Sequence, residues 1–326
     1  MNKLITIGEA LIDFIPFNAE EVFLENSTFI RLAGGAPFNV TACVAKLGGV
    51  STIITKLGED FFGDYIINLA KNINVDIKNI YRTNEANTAL AFVQLNENGE
   101  RKFSFYRKPS ADMLLNENEI SEESIKEGKI LHFCSVSLVD FPIKKAHLRA
   151  INYAKKNNLL ISFDPNVRLP LWESSDECRR VINEFIPYAD ILKVSDEELE
   201  FITGISDINE SIKKLLEKVS VIIYTLGDKG VRFITKDEDI YVNSFKVKVI
   251  DTTGAGDAFI GSFLYQILEK GYDLNDLLNL KKDEIEKMLL FSNATSAYVV
   301  SKKGAIDALP TKKEVLYLAE NGEKNE

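Results

Sequence analysis

The chain has 326 residues, enough for one large domain or two ordinary ones with a substantial core. At 45% hydrophobic and 27% charged it has the balance of a soluble globular protein, which excludes membrane, collagenous and disordered classes. Its net charge of −10 excludes a dedicated nucleic-acid surface, because phosphate backbones need a basic face.

In chain order, short apolar runs at 4–7, 51–56, 129–134, 159–163, 190–194, 219–225 and 231–235 read as strands. Most are near-continuous, the signature of strands buried on both faces. The first run is interrupted by Glu9 and Asp13 before a signal peptide or membrane span could form, so no membrane association is expected. Helices are predicted between the strands. Residues 37–47 open with a proline suited to a first turn and stop at Gly48-Gly49. Residues 143–156, 176–185 and 208–219 carry apolar side chains at three- and four-residue spacing.

Two stretches break the rhythm. Residues 88–95 and 101–107 alternate around Asn96-Glu97-Asn98-Gly99, which reads as a β-hairpin, and 13–32 lacks a helical period while being rich in Phe and Val. The division this suggests is an α/β body of 1–12, 33–87 and 108–326 with a small β-layer, 13–32 and 88–107, inserted as a lid or a surface flap. Residues 244–250 read as a further strand, and the polar tail 320–326 is expected to fray.

The segment Asp251-Thr252-Thr253-Gly254-Ala255-Gly256-Asp257 runs into a helical face of Phe259, Ile260, Phe263, Leu264, Ile267 and Leu268 that ends at Lys270-Gly271. Glycines at a helix start leave outward-pointing N–H groups beside the positive end of the helix dipole, a natural phosphate or oxyanion site. Asp257 could take a proton from a substrate hydroxyl while the amides of Gly254, Ala255 and Gly256 stabilise a transferring phosphoryl group. By spacing alone it could equally be an N-terminal helix aspartate. A second glycine pair, Gly34-Gly35, precedes the first good helix, where close backbone approach and the amide of Asn39 suit a polyol. No GxxxxGK[ST] is present and no GxGxxG follows the first strand.

The three cysteines, Cys43, Cys134 and Cys178, are too scattered for a disulfide framework or a CxxC site, so a reducing cytoplasm is expected. With only His132 and His147, a histidine triad or histidine metal centre is not expected.

Gly34-Gly35-Ala36-Pro37-Phe38-Asn39 together with Leu57-Gly58-Glu59-Asp60-Phe61-Phe62-Gly63 resembles the N-terminal signature of the ribokinase-like (PfkB) carbohydrate kinases, and residues 251–264 resemble their C-terminal signature. Further likenesses lie at 8–13, 163–168, 193–198, 225–230 and 304–307, so the resemblance spans 4 to about 310. It implies a three-layer α/β/α body with a mostly parallel sheet and a small β-sheet lid. It also implies an ATP-dependent sugar kinase with Asp257 as base and the amides of Gly254, Ala255 and Gly256 as anion hole. Asp13, Gly34, Gly35 and Asn39 would contact sugar hydroxyls, and Arg107 and Arg168 would meet substrate or phosphate. Arg168 follows a strand end, where open α/β sheets bind ligands, with a surface ion pair as the alternative; Arg107, leaving the β-layer, reads more simply as a solvated charge.

For ATP the resemblance implies Lys193, Ser195, Glu198, Thr225, Gly227, Gly230 and Asn293, with Glu198 organising waters around magnesium. Ser195 stands where many relatives have asparagine. A potassium site would use Asp251, the carbonyl of Thr253 and Gly304, and Ala308 in place of a hydroxyl ligand implies weak binding or none. Within the family, residues 8–16, 103–112 and 164–172 look most like bacterial fructokinases, implying transfer to the 6-hydroxyl of fructose. Aminoimidazole riboside kinases and 2-keto-3-deoxygluconate kinases share parts of the pattern and stay open. A non-catalytic sugar-binding relative should have lost Asp257 or its glycines. Relatives often dimerise through the lid, and the aromatic wealth of Phe14, Phe23, Phe29, Phe92, Phe103 and Phe105 suggests the same homodimer here.

Overall fold

The apolar run near the N-terminus forms β1 (Lys3–Ile7), buried at all five positions, and the main sheet is built outward from it. The computed structural model describes residues 2–17, 28–95 and 101–325. On one side of β1 lie β4 (Val50–Gly58) and β5 (Ile80–Thr83); on the other lie β8 (Ile130–Cys134), β9 (Leu160–Asp164), β10 (Ile191–Ser195) and β11 (Val221–Thr225). All these pairings are parallel. Two antiparallel strands, β12 (Val231–Ile234) and β13 (Asp239–Val242), finish the far edge. Among the described residues the sheet has nine strands in the order β13-β12-β11-β10-β9-β8-β1-β4-β5.

Alternation along the strands sorts side chains into two cores, as the pleat requires. Leu4, Ile130, Ile191, Val221 and Ile223 join one core with α1 (Ala36–Lys46), α8 (Ala255–Lys270) and α10 (Lys282–Val300). Ile5, Leu131, Leu192 and Ile222 join the other with α4 (Pro142–Lys156), α5 (Ser175–Phe185), α6 (Asp196–Thr203) and α7 (Ile208–Leu216). The body is therefore the expected three-layer α/β/α arrangement. Shorter or peripheral helices are α2 (Phe61–Asn72), α3 (Glu122–Lys126), α9 (Leu274–Leu278) and α11 (Lys312–Asn321).

Among the described residues a second sheet of four strands, in the order β3-β2-β6-β7, stands over the body. It comprises β2 (Leu11–Pro16), β3 (Phe29–Gly34), β6 (Leu90–Leu95) and β7 (Arg101–Tyr106). It starts at Leu11 and its second strand runs to Gly34, so the small sheet reaches past the sequence boundaries of 13 and 32 and takes in the first glycine of the Gly34-Gly35 pair. The turn at 96–99 and Phe23 lie outside the described residues.

Three expectations need correction. Residues 244–250 are not a strand of the sheet: the last strand is β13, and Val249 and Ile250 are each 58% exposed. The tail does not fray through residue 325. Lys246 N donates to Glu323 O at 2.8 Å and Asn325 N donates to Ser244 O at 2.9 Å, so the tail pairs by backbone with the segment expected to be a strand. Arg107 is not a solvated charge; it is 5% exposed and ion-paired with Asp112.

Candidate active site

The strand order reverses at β1, whose neighbours β4 and β8 diverge in sequence, and open α/β sheets bind ligands beyond the carboxyl ends of strands at such a point. Glu9 follows β1, Asn166 and Arg168 follow β9, and Ser195 ends β10. All four line one cavity of about 610 Å³. The start of α8 closes a side of it with Thr252, Thr253, Gly254, Ala255, Gly256 and Asp257, and the small sheet adds Leu11, Asp13 and Phe105. A cavity of this size suits a small-molecule substrate.

Helix α8 starts at Ala255, four residues before Phe259 opens the apolar face, with Gly254 at φ +77° as its N-cap. A left-handed residue there favours glycine, and a Cβ would lie 2.8 Å from Ala305 Cβ. The first-turn amides of Gly256 and Asp257 have no acceptor within the helix, whereas Ala255 N reaches back to Thr252 O at 3.3 Å. Asp257 is 7% exposed. Its Oδ2 accepts from Asn39 Nδ2 at 2.8 Å and its Oδ1 from Asn166 Nδ2 at 3.4 Å. Burial pushes its carboxyl above the ordinary range, while the Asn39 hydrogen bond and the charges of Lys193 and Arg168 pull it partly back. A carboxylate so placed has the chemistry to take a proton from a hydroxyl that enters the cavity.

Lys193 crosses the same helix start, with Nζ 3.1 Å from where a Cβ on Gly256 would stand. It is ion-paired to Asp164 at 3.1 Å. Against the pull of burial, Asp164 and Glu198 hold it above its usual range, so the ammonium stays charged beside the glycine amides. Glu198 is 9% exposed and closes a capping box at the start of α6, accepting from Ser195 N at 3.0 Å and Val167 N at 2.7 Å. Burial opposes its ionisation, but Lys193 and these two amides hold it below the usual carboxylate range. Asp251 accepts from Thr253 N at 2.8 Å and from Gly304 N at 3.0 Å, bringing the expected cation loops together.

Asp13, Gly35, Asn39, Arg168, Lys193, Ser195, Glu198 and residues 253–257 all line the cavity; Gly34, Arg107, Thr225, Gly227, Gly230 and Asn293 do not. Gly34 makes room for Asp13, whose Oδ2 would be 2.2 Å from a Cβ there. Gly230 and Asn293 converge on the exit of β13: a Cβ on Gly230 would meet Val242 O, and Asn293 Nδ2 donates to Asn243 O at 3.0 Å. Thr225 Oγ1 turns back to Val194 O at 3.5 Å, and Gly227 takes φ +61° in the turn that follows β11.

Sequence reasoning gave no role to Asn166 or Glu9. Asn166 adopts φ +44°, a conformation tolerated by asparagine, and that turn aims its amide at Asp257. The Asp-Pro-Asn turn after a strand was the available signal. Both histidines are interior: burial drives His132 down to about 3 and His147 to about 4, so both are neutral core groups.

Residues 1–312 match the model of the pfkB family carbohydrate kinases. A probable fructokinase-2 of Arabidopsis thaliana is 42% identical over 315 residues, 96% of this chain and 94% of its own length. Among solved structures, a fructokinase of Xylella fastidiosa with bound ATP has TM-score 0.90 and 33% identity, covering 98% of each chain. A double-mutant fructokinase of Vibrio cholerae O395 with fructose, ADP and potassium ion has TM-score 0.87 and 31% identity, covering 97% of each. The chain belongs to the pfkB family of carbohydrate kinases, phosphotransferases that act on an alcohol group.

Proposed function

We propose that the protein is an ATP-dependent fructokinase that converts fructose to fructose 6-phosphate with Asp257 as general base. The observation that carries the mechanism is the buried Asp257 in the first turn of α8, held by Asn39 and facing the cavity. Asp13, Gly35, Asn39 and Arg168 are the groups we assign to the sugar. The 6-hydroxyl gives its proton to Asp257, its oxygen attacks the γ-phosphorus, and the bond to the ADP oxygen breaks. The charge on the transferring oxygens is met by the first-turn amides of α8 and by the Lys193 ammonium. Excluding water from this step falls to the small sheet, whose Asp13 and Phe105 roof the cavity.

The fructose reading is supported by the named relatives and by the state of Arg107. That guanidinium is ion-paired to Asp112, so among the described residues lining the cavity Arg168 is the one guanidinium open to a sugar acid. A neutral sugar suits this wall better than a 2-keto-3-deoxygluconate. An ATP-consumption assay over fructose, ribose, aminoimidazole riboside and 2-keto-3-deoxygluconate separates the readings. Replacing Asp257 by Asn should lower kcat by about 10²–10⁴-fold with little change in fructose KM, since the proton acceptor goes and the shape stays. A variant keeping most of its kcat would remove Asp257 from the mechanism.

Glu198, ionised and partly facing the cavity, fits a hydrated magnesium ion held through water. Magnesium bound with ATP neutralises phosphate charge during transfer. The Asp251, Thr253 and Gly304 loops fit a potassium ion, while Ala308, 1% exposed, brings no side-chain oxygen. Turnover should require magnesium and rise modestly with potassium; equal rates in potassium and a large organic cation would eliminate the monovalent site.

The outer face of the small sheet supports a homodimer. Phe14 stacks on Phe92 at 4.7 Å, Phe29 and Tyr106 meet Phe92 edge-on, and Tyr106 is 65% exposed. Phe14 also meets Phe62 of α2, so the body covers only part of this aromatic face. Covering the rest with a second copy would bury aromatic area and protect the open edges of β3 and β7. Light scattering at micromolar protein should give a dimer mass, and a monomer with and without fructose would refute it. We place the enzyme in the cytoplasm, in keeping with three buried free cysteines.

A further inference from the structure

From the sugar-facing wall, where Glu9 and Asn39 stand, a buried polar chain runs back to Arg107. Glu9, 1% exposed, accepts from Ser137 Oγ at 2.6 Å through Oε2 and from Ala36 N at 3.2 Å through Oε1. Ala36 is the first residue of α1, and the N-cap of that helix, Gly35 at φ +103°, has no side chain to cap it. The strand end passes so close that a Cβ on Gly35 would lie 2.6 Å from Glu9 O. Glu9 thus supplies from β1 the acceptor that a capping side chain would otherwise provide.

The chain continues in both directions. Toward the small sheet, Arg107 at the exit of β7 donates Nη2 to Ser137 Oγ at 3.1 Å, Nη1 to Val136 O at 3.0 Å and Nε to Asp112 Oδ2 at 3.0 Å. Toward the base, Asn39 N donates to Gly35 O at 2.8 Å and Asn39 Nδ2 holds Asp257. One guanidinium thus serves two buried carboxylates: its fork holds Asp112 directly, and it reaches Glu9 through the Ser137 hydroxyl and by charge. Burial pushes the Glu9 carboxyl up and Arg107 draws it back.

We infer that Glu9 is a positioning residue: it caps α1 and, tethered through Ser137 to Arg107 at the end of β7, sets where Asn39 stands against Asp257. The small sheet and the base are then linked by one run of buried hydrogen bonds, which gives Arg107 a role without a place in the cavity wall.

The inference rests on Asp257 as proton acceptor, so the test separates the two. Because the Asn39 hydrogen bond lowers the pKa of Asp257, loosening it raises that pKa and moves the acidic limb of kcat/KM for fructose to higher pH. Glu9→Gln and Asn39→Ala should each shift the limb upward by about 0.5–1 pH unit, and the double variant should shift it no further than Asn39→Ala. Plateau kcat/KM for fructose should fall about tenfold in Glu9→Gln with the KM for ATP unchanged. An unmoved limb in Glu9→Gln or in Asn39→Ala, or additive shifts in the double variant, would overturn the inference. Should Glu9→Gln fail to fold, Ser137→Ala removes one hydrogen bond to Glu9 and should give a smaller shift of the same sign; no shift there overturns it too. Asp257→Asn with wild-type turnover would instead overturn the base assignment.

Discussion

The hydrogen bond from Asn39 Nδ2 to Asp257 Oδ2 joins residues 218 positions apart, and the site depends on it. Removing a carboxylate from water costs several kcal/mol unless neighbours replace the lost hydration. Here they are two amides, from Asn39 and Asn166, two cations, Lys193 and Arg168, and the positive end of α8. The compensation is incomplete, and the remainder keeps the Asp257 carboxyl above its ordinary range. In the proposed mechanism, that uncompensated desolvation is what raises the affinity of Asp257 for a proton.

Two helices must approach closely for this contact to exist. α1 and α8 do so over Gly261, where a Cβ would lie 2.8 Å from Cys43 Cβ and 3.3 Å from Val40 O. Cys43 Sγ donates to Ala258 O at 3.5 Å, so the thiol is a small packing group with a satisfied donor. The sheet sets the other coordinates. Because the order reverses at β1, the ends of β1, β9 and β10 deliver Glu9, Asn166, Arg168 and Ser195 to one place. The small sheet then uses its two faces differently: Leu11, Asp13 and Phe105 look into the cavity, while Phe14, Phe92 and Tyr106 form the aromatic outer face.

Much of this was legible in the chain because the signals are local. Continuous apolar runs marked the parallel strands, since burial on both faces leaves no polar position to interrupt them. The glycines before Asp257 marked a helix start because their conformational freedom is what that start needs. Residues 244–250 misled for a complementary reason. Their alternation of Phe245, Val247 and Val249 with polar residues is a strand pattern, but a strand also needs a partner, and this segment pairs with no strand of the sheet. The C-terminal tail became the partner through backbone groups, which composition does not reveal. Arg107 was similarly opaque: its burial depends on Asp112 and, from a second segment, Val136 and Ser137 converging on it. Asn166 needed the fold to bring β9 to α8 before its amide meant anything.

In the proposed mechanism one buried carboxylate, held in place by Asn39, meets the hydroxyl that is phosphorylated. The most direct measurement is a crystal structure with fructose and a non-hydrolysable ATP analogue. The 6-hydroxyl oxygen should lie within about 2.6–3.2 Å of an Asp257 carboxylate oxygen, with the Asn39 contact intact and the terminal phosphate at the first turn of α8. A 6-hydroxyl directed at another group, with Asp257 turned away from the sugar, would contradict it.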